Sequence, residues 1–411
     1  MKKINSAFFW LLAGLLLLFP LGVLVRLTPF PNVNIYPLDL AAGATAVILT
    51  LYHIGTKKIP KFKKLFYSIL LFNLFALISL FLNLNYLKVE EMLVSAAYLL
   101  RFDAYISLLF IGGIGLTIFQ KIVLKKIFIF ATFLTVIMGF IQLIFYNNLR
   151  NLYYLDWDEH LYRLFSSFLD PNFAGIVFSL FVLYLFGRII KSLKDLKDII
   201  SLNTILFAAT ITALIFTYSR TALISFAVGF SILLIGFRKI KLLLLMLLLL
   251  LAAVFLVSDF SIEGLNPVRI ASTEARITSM EEALEIFSEN YLFGIGFNAY
   301  RYAQVKYGFR NSQEILSSNA DAGTDNSFLF ILSTAGIAGF IFYLNIWFNI
   351  YRKIKLKKKK TERLVPISII SALFIGSFFI NALFYVHIMF WVFFYLGVFI
   401  LPNNLKNYSV R

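Results

Sequence analysis

The sequence contains no cysteine, which excludes disulfides, thiolate metal sites and cysteine nucleophiles. Charge is also scarce, at 14% of residues against the quarter or so usual in a soluble domain. Histidine occurs at three positions: His53 reads as structural, and His160 and His387 are candidates for titrating groups. There is no internal repeat, and no run of short alternating segments of the kind a β-barrel needs.

Apolar sequence fills the space. Hydrophobic residues make up 60% of the chain, and the mean hydropathy is +0.85. Runs of about 18 or more apolar residues recur from end to end, each long enough to cross a bilayer. The fold class these imply is an all-α polytopic membrane protein. Twelve spans are expected near 6–26, 36–55, 65–84, 92–119, 127–146, 171–190, 200–218, 221–237, 242–258, 326–350, 365–385 and 388–402. The first run is too long for a cleaved signal peptide and lacks a small-residue cleavage site after it.

The net charge of +17 is a topology signal rather than a nucleic-acid signal. With both termini in the cytoplasm, seven inner segments hold 27 of the 38 lysines and arginines and three acids (Asp195, Asp198, Glu362). Every inner loop is then basic, as the positive-inside rule requires, and the excess attracts anionic lipid. The opposite face receives Asn147 to Arg163, the Ser219-Arg220 turn, the turn around His387, and one long polar loop, 259–325. That loop divides the chain into spans one to nine (1–258), the loop itself, and spans ten to twelve with the tail (326–411). Of the basic residues on this face most are arginine, whose planar fork grips phosphate bidentately.

Within the loop, Thr273 to Asn290 reads as an amphipathic helix. Ile277, Met280, Leu284 and Phe287 recur at spacings of three and four, Glu281, Glu282 and Glu285 fall on another face, and Ser272 or Thr273 caps the start. The stripe implies a helix that lies on the bilayer or packs on the bundle. Gly294 and Gly296 allow a sharp turn, and Asn298 to Tyr307 is a second helical candidate. The loop also carries Arg269, Arg276, Arg301 and Arg310.

Arg220 is the sharpest position, since only Tyr218-Ser-Arg-Thr221 separates two apolar spans and a charge at such a depth needs a partner or a ligand. Arg101 and Asp103, inside the fourth span, are expected to neutralise each other or a neighbour. Asp170-Pro171-Asn172 is a helix-start signal, with Arg163 and Ser166-Ser167 just ahead of it. Asp325 has two readings, the N-cap of the tenth span or a general base for an acceptor hydroxyl. The loop glutamates read as a solvated face, with a base or a divalent-metal site as the alternative.

These motifs together resemble the O-antigen ligase and polymerase superfamily. Tyr218-Ser219-Arg220-Thr221-Ala222-Leu223 resembles its Ser-Arg motif. The segment Arg163 to Ala174 resembles the one preceding a middle span in that family. Leu292-Phe-Gly-Ile-Gly-Phe-Asn-Ala-Tyr300 is similar to its Gly-x-Gly loop, and Asp325-Asn326-Ser-Phe-Leu through Gly339 to its His-Asn segment. The resemblance implies a GT-C-like glycosyltransferase in the bacterial cytoplasmic membrane, metal-independent and without a cofactor, acting on the outer face. Its substrates would be undecaprenyl-diphosphate-linked glycan donor and acceptor, polymerised into an O-antigen or capsule-type polysaccharide, with a chain-length regulator and a flippase as possible partners. Carried over by position, Arg220 and Arg276 bind diphosphate, and Asp325 stands where the family has histidine. This departure favours a polymerase over a lipid A-core ligase. Arg163, Arg301, Asn172, Gly294, Gly296 and Asn326 are the candidate substrate-binding residues. Against a transporter of the same lipid-linked sugars stands the absence of visible paired discontinuous spans or half-to-half symmetry. A non-catalytic scaffold has no need of Arg220 or Asp325.

Overall fold

In hydrocarbon every backbone N–H and C=O must be satisfied within the protein, which leaves long apolar runs one main solution, the α-helix. The computed structural model describes residues 2–30, 33–56, 62–155, 158–192, 201–244, 270–311 and 322–401, and over these the chain is a helical bundle. In order come α1 (Lys2–Leu18), a small antiparallel hairpin of β1 (Leu27–Phe30) and β2 (Val33–Ile35), α2 (Pro37–Gly55), α3 (Lys63–Leu82), α4 (Val89–Ile106), α5 (Ile118–Phe145), α6 (Pro171–Ser192), α7 (Leu202–Phe216) and α8 (Arg220–Gly236). The polar loop contributes α9 (Ile270–Glu289) and α10 (Tyr300–Lys306), and the chain returns through α11 (Ser327–Lys355), α12 (Lys360–Gly376) and α13 (Val386–Phe394). Eleven of the twelve expected spans correspond to helices; the ninth, 242–258, falls almost wholly outside the described residues.

Among the described residues six helices are long and apolar enough to cross a membrane: Pro37–Gly55, Lys63–Leu82, Val89–Ile114, Ile118–Phe145, Pro171–Lys191 and Ser327–Lys355. Ser6–Leu21, Leu202–Phe216, Arg220–Gly236 and Val386–Ile400 are shorter apolar helices. Of the six long helices the most enclosed is α6, whose residues Ala174 to Leu185 are buried throughout. It packs against α7, α8 and α12, while α11 packs along α3 and α9 along α11.

The two ends of the bundle differ in charge. Lys125 lies within electrostatic reach of Arg188, Lys191 and Glu362, and Lys357 within reach of Lys121 and Glu362. Lys353 caps the Phe62 ring and Lys360 the Phe237 ring. Basic helix ends therefore gather at one end, and the Ser219-Arg220 turn, Asp170 and Asp325 lie at the other.

The structure decides or corrects four expectations. Of the two alternatives for Arg101 and Asp103 it takes the neighbour: Arg101 pairs with Asp39 at 2.9 Å, and Asp103 accepts from the Asn73 amide at 2.7 Å. The loop helix does not start at Ser272 or Thr273, because α9 already includes Ile270 and Ala271. Of the two placements expected for the stripe, packing on the bundle does not hold for Ile277 and Leu284, which are half exposed; the residues α9 buries are Glu282, Ala283 and Ile286. Finally, α11 is discontinuous: Gly336 has φ 65° and ψ −174° inside it.

That break is filled by backbone from the loop. Ile295 and Gly296 donate N–H bonds to the Ser333 and Thr334 carbonyls, each at 3.0 Å, and the Ile337 and Ala338 N–H groups donate to the Tyr291 and Leu292 carbonyls at 2.8 and 3.3 Å. Ser79 and Asn83, from the end of α3, brace the junction through the Thr334 and Gly294 carbonyls at 2.8 and 2.9 Å. All four peptide groups freed by the break are thus satisfied within the protein. Gly294 (φ 70°) and Gly336 face each other here: a Cβ on Gly294 would collide with the backbone of Thr334 and Ala335, and one on Gly336 with Leu292 and Phe293.

Candidate active site

The site is built around the turn between α7 and α8. Tyr218 adopts a left-handed conformation (φ 47°), which reverses the chain so that Ser219 caps α8, its hydroxyl accepting from the Ala222 N–H at 3.3 Å. Arg220 is then the first helical residue, exposed at the mouth of the bundle. A helix N-terminus carries partial positive charge, to which the guanidinium adds.

Arg163 and Asn172 hold this turn from below. Arg163 is buried, and its Nε donates to the Thr217 carbonyl at 3.0 Å. The Leu164 N–H donates to the Phe216 carbonyl at 2.9 Å, and the Ser219 hydroxyl donates to Asn172 Oδ1 at 2.9 Å. The helix start read at Asp170-Pro171 is present: Asp170 Oδ1 accepts from the Asn172 and Phe173 N–H groups at 2.6 and 3.3 Å, ahead of α6.

From the loop, α9 brings Arg276 to the same place. Its Nη1 donates to the Thr221 hydroxyl at 3.2 Å, one residue from Arg220. A guanidinium has five N–H donors, and among the described residues this is the hydrogen bond Arg276 makes. Three residues further along the same face, Ser279 reaches the segment that opens α11. Its hydroxyl donates to Thr324 Oγ1 at 3.1 Å and accepts the Asp325 N–H at 3.2 Å.

Asp325 is the decisive residue. The cap of α11 is Asn326, whose Oδ1 accepts from the Phe328 and Leu329 N–H groups at 2.9 and 3.1 Å. The cap reading of Asp325 is therefore wrong by one position, because the helix begins at Ser327. Among the described residues the Asp325 carboxylate has no hydrogen bond or ion pair. Burial raises its pKa above the ordinary value; Arg276 pulls it down, and Asp170 and Asp158 push it further up. A carboxylate so placed is a stronger base than a capped one.

The remaining candidates lie elsewhere. Gly294 and Gly296 belong to the Gly336 junction, nine residues into α11 and on the order of 14 Å from its start at 1.5 Å per residue. Arg301 is buried on α10, where its charge acts on the Tyr302 phenol. Glu281, Glu285 and Glu289 are exposed, while Glu282 pairs with Arg310 at 3.1 Å. Among the described residues no three His, Asp or Glu side chains group as metal ligands. Sequence reasoning passed over Ser279 and Thr324. A signal for Ser279 existed, since it lies three residues after Arg276 and therefore on the same face of a helix.

Residues 205–344 match a family model described as O-antigen ligase. The match supports the O-antigen ligase and polymerase superfamily. It spans Arg220, Arg276, Arg301, both loop glycines, Asp325 and Asn326, whereas the buttressing residues Arg163 and Asn172 precede it. No curated protein matches the chain. An O-antigen ligase family domain agrees with lipid-linked glycan substrates and with the apolar helices of a multi-pass membrane protein.

Proposed function

We propose that the protein is a glycosyltransferase that polymerises undecaprenyl-diphosphate-linked oligosaccharide repeat units on the outer face of a bacterial cytoplasmic membrane. The observation that carries this reading is that Asp325, whose carboxylate neither caps α11 nor has a partner among the described residues, lies within electrostatic reach of Arg276, which itself bonds Thr221 beside Arg220.

The donor diphosphate lies at the α8 N-terminus, between the Arg220 and Arg276 guanidinium groups. As the bond from the anomeric carbon to the phosphate oxygen breaks, negative charge grows on the diphosphate, and preorganised arginines stabilise it. The acceptor hydroxyl attacks that carbon from the opposite side, giving inversion. Its proton passes to the Asp325 carboxylate, whose raised pKa suits a base. The products are a glycan longer by one repeat unit and free lipid diphosphate. Arg163 and Asn172 serve by holding the Thr217–Arg220 turn, and Asn326 by relieving Asp325 of the cap.

Reconstitution with purified lipid-linked repeat units tests this. A ladder of glycan lengths supports the polymerase, and its reduction to single units by Arg220→Ala and Asp325→Ala supports the residue roles. Transfer to a different acceptor makes the protein a ligase, the activity after which the matching family model is described. Translocation without a new glycosidic bond makes it a transporter and removes the mechanism.

A further inference from the structure

If Arg276 and Asp325 act together, their separation must be fixed, yet they sit on different segments and no ion pair joins them. What joins the segments is a pair of clamps. At one end Ser279 on α9 meets Thr324 and Asp325; at the other the Tyr291–Gly296 backbone meets Ser333 to Ala338 at the Gly336 break. From Ser279 to Tyr291, and from Asp325 to Ile337, is twelve residues in each case, so α9 and the first part of α11 run side by side in the same direction and in register.

The upper clamp is closed on both sides. The Ser279 hydroxyl donates to Thr324 Oγ1 and accepts the Asp325 N–H, and Thr324 Oγ1 in turn donates to the Ser279 carbonyl at 3.1 Å. That carbonyl also receives the Tyr300 hydroxyl at 3.4 Å. Both side chains of the clamp are therefore used as donor and, for Ser279 and Thr324 alike, as acceptor. Thr324 is buried, so these bonds are shielded from water. Arg276 lies one turn before Ser279, and Asp325 is bonded to it through its own backbone.

We propose that Ser279 is a positioning residue, which with Thr324 holds the Arg276 guanidinium and the Asp325 carboxylate at the separation the reaction uses. This rests on the glycosyltransferase reading of the same site. Ser279 touches neither donor nor acceptor; it acts through the geometry of two residues that do. Without its hydroxyl the Asp325 N–H loses its partner and the segment opening α11 is free to move away from α9.

The consequence is measurable apart from turnover. The charged groups acting on Asp325 are Arg276 from α9, Asp170 ahead of α6 and Asp158 from the segment before it. Moving Asp325 away from Arg276 removes the one influence among these that favours its charged form. In Ser279→Ala the infrared carboxyl band of protonated Asp325, identified by its loss in Asp325→Asn, persists to higher pH than in the otherwise native protein in proteoliposomes. In the same variant kcat for glycan extension falls about tenfold with KM for the donor little changed, and the acidic limb of the pH profile moves up. Thr324→Ser, which keeps the hydroxyl, stays near wild type, whereas Thr324→Val, which keeps the shape, follows Ser279→Ala. An unmoved carboxyl titration in Ser279→Ala overturns the proposal whether or not the wild type polymerises. A shifted titration in a protein whose wild type forms no glycosidic bond upholds the clamp and overturns the glycosyltransferase reading instead.

Discussion

Two arginine–aspartate pairs sit inside this bundle, and they are treated in opposite ways. Asp39 is saturated: Arg101 Nη2 approaches at 2.9 Å, the Tyr105 hydroxyl donates at 2.8 Å and the Tyr36 N–H at 2.8 Å. Arg101 also donates to the Asn34 carbonyl and lies 4.7 Å from the Tyr98 ring centroid. Every charge there is spent on holding β2, α2 and α4 together. Arg276 and Asp325 are close enough to influence each other, yet the arginine turns to Thr221 and the carboxylate has no partner among the described residues. A compensated buried pair is a structural joint. An uncompensated one is unstable by itself and makes sense where a ligand completes it.

The sharpest break in this comparison comes from deleting one aspartate of each kind. Asp325→Ala should leave a folded, inserted protein whose glycan extension falls by about 10²–10⁴-fold, the usual range for a general base. Asp39→Ala should do the reverse, leaving Arg101 buried without its partner at a cost of about 3–5 kcal/mol. A melt in detergent then shows a lower midpoint, and any folded fraction keeps its specific activity. If the two variants exchange phenotypes, the division between joint and site is wrong.

Arg276→Ala sharpens the site half of the comparison. Turnover should fall by about 10²–10³-fold, as when one preorganised charge-stabilising group is removed. Because Arg276 is the neighbour that lowers the Asp325 pKa, its loss raises that pKa further. The base is active unprotonated, so the acidic limb of the pH–rate profile must move to higher pH. A limb that stays in place while the rate falls would show that the titrating group is not Asp325.

The sequence carried the coarse half of this picture for a plain reason. Long apolar runs have one backbone solution in a membrane, and a charge wedged between two of them, as Arg220 is, stands out without any structure. What it hid were choices between near-equal alternatives. Asp325 and Asn326 are both good caps, and only the start of α11 at Ser327 decides for the second. Arg101 and Asp103 look like a pair because they are two apart, yet residues two apart on a helix do not face each other. The apolar stripe of α9 left open whether it faced bilayer or bundle, and it is Ala283 and Ile286 that are buried while Ile277 and Leu284 stay half exposed. Gly336 gave no sign of a break, because a glycine in an apolar helix is also a common packing residue.

The smallest effect separates stability from function at one atom. The folded-state pKa of Asp325 is raised, chiefly by burial, so between its unfolded and folded values the folded protein holds more protons than the unfolded chain. Stability therefore falls as pH rises through that window and stays lower above it. Asp325→Asn removes the buried charge while keeping the shape. Above the window it should raise the melting midpoint slightly, on the order of 1–2 °C for a chain of this size, while abolishing extension as completely as alanine does. Below the window, where Asp325 is protonated in both states, the two proteins should melt together. Arg101 makes the contrast: Asp39→Asn, which leaves that arginine without a counter-charge, should lower the midpoint at neutral pH. A fall at both positions would mean that Asp325, like Asp39, is part of the frame and not the base.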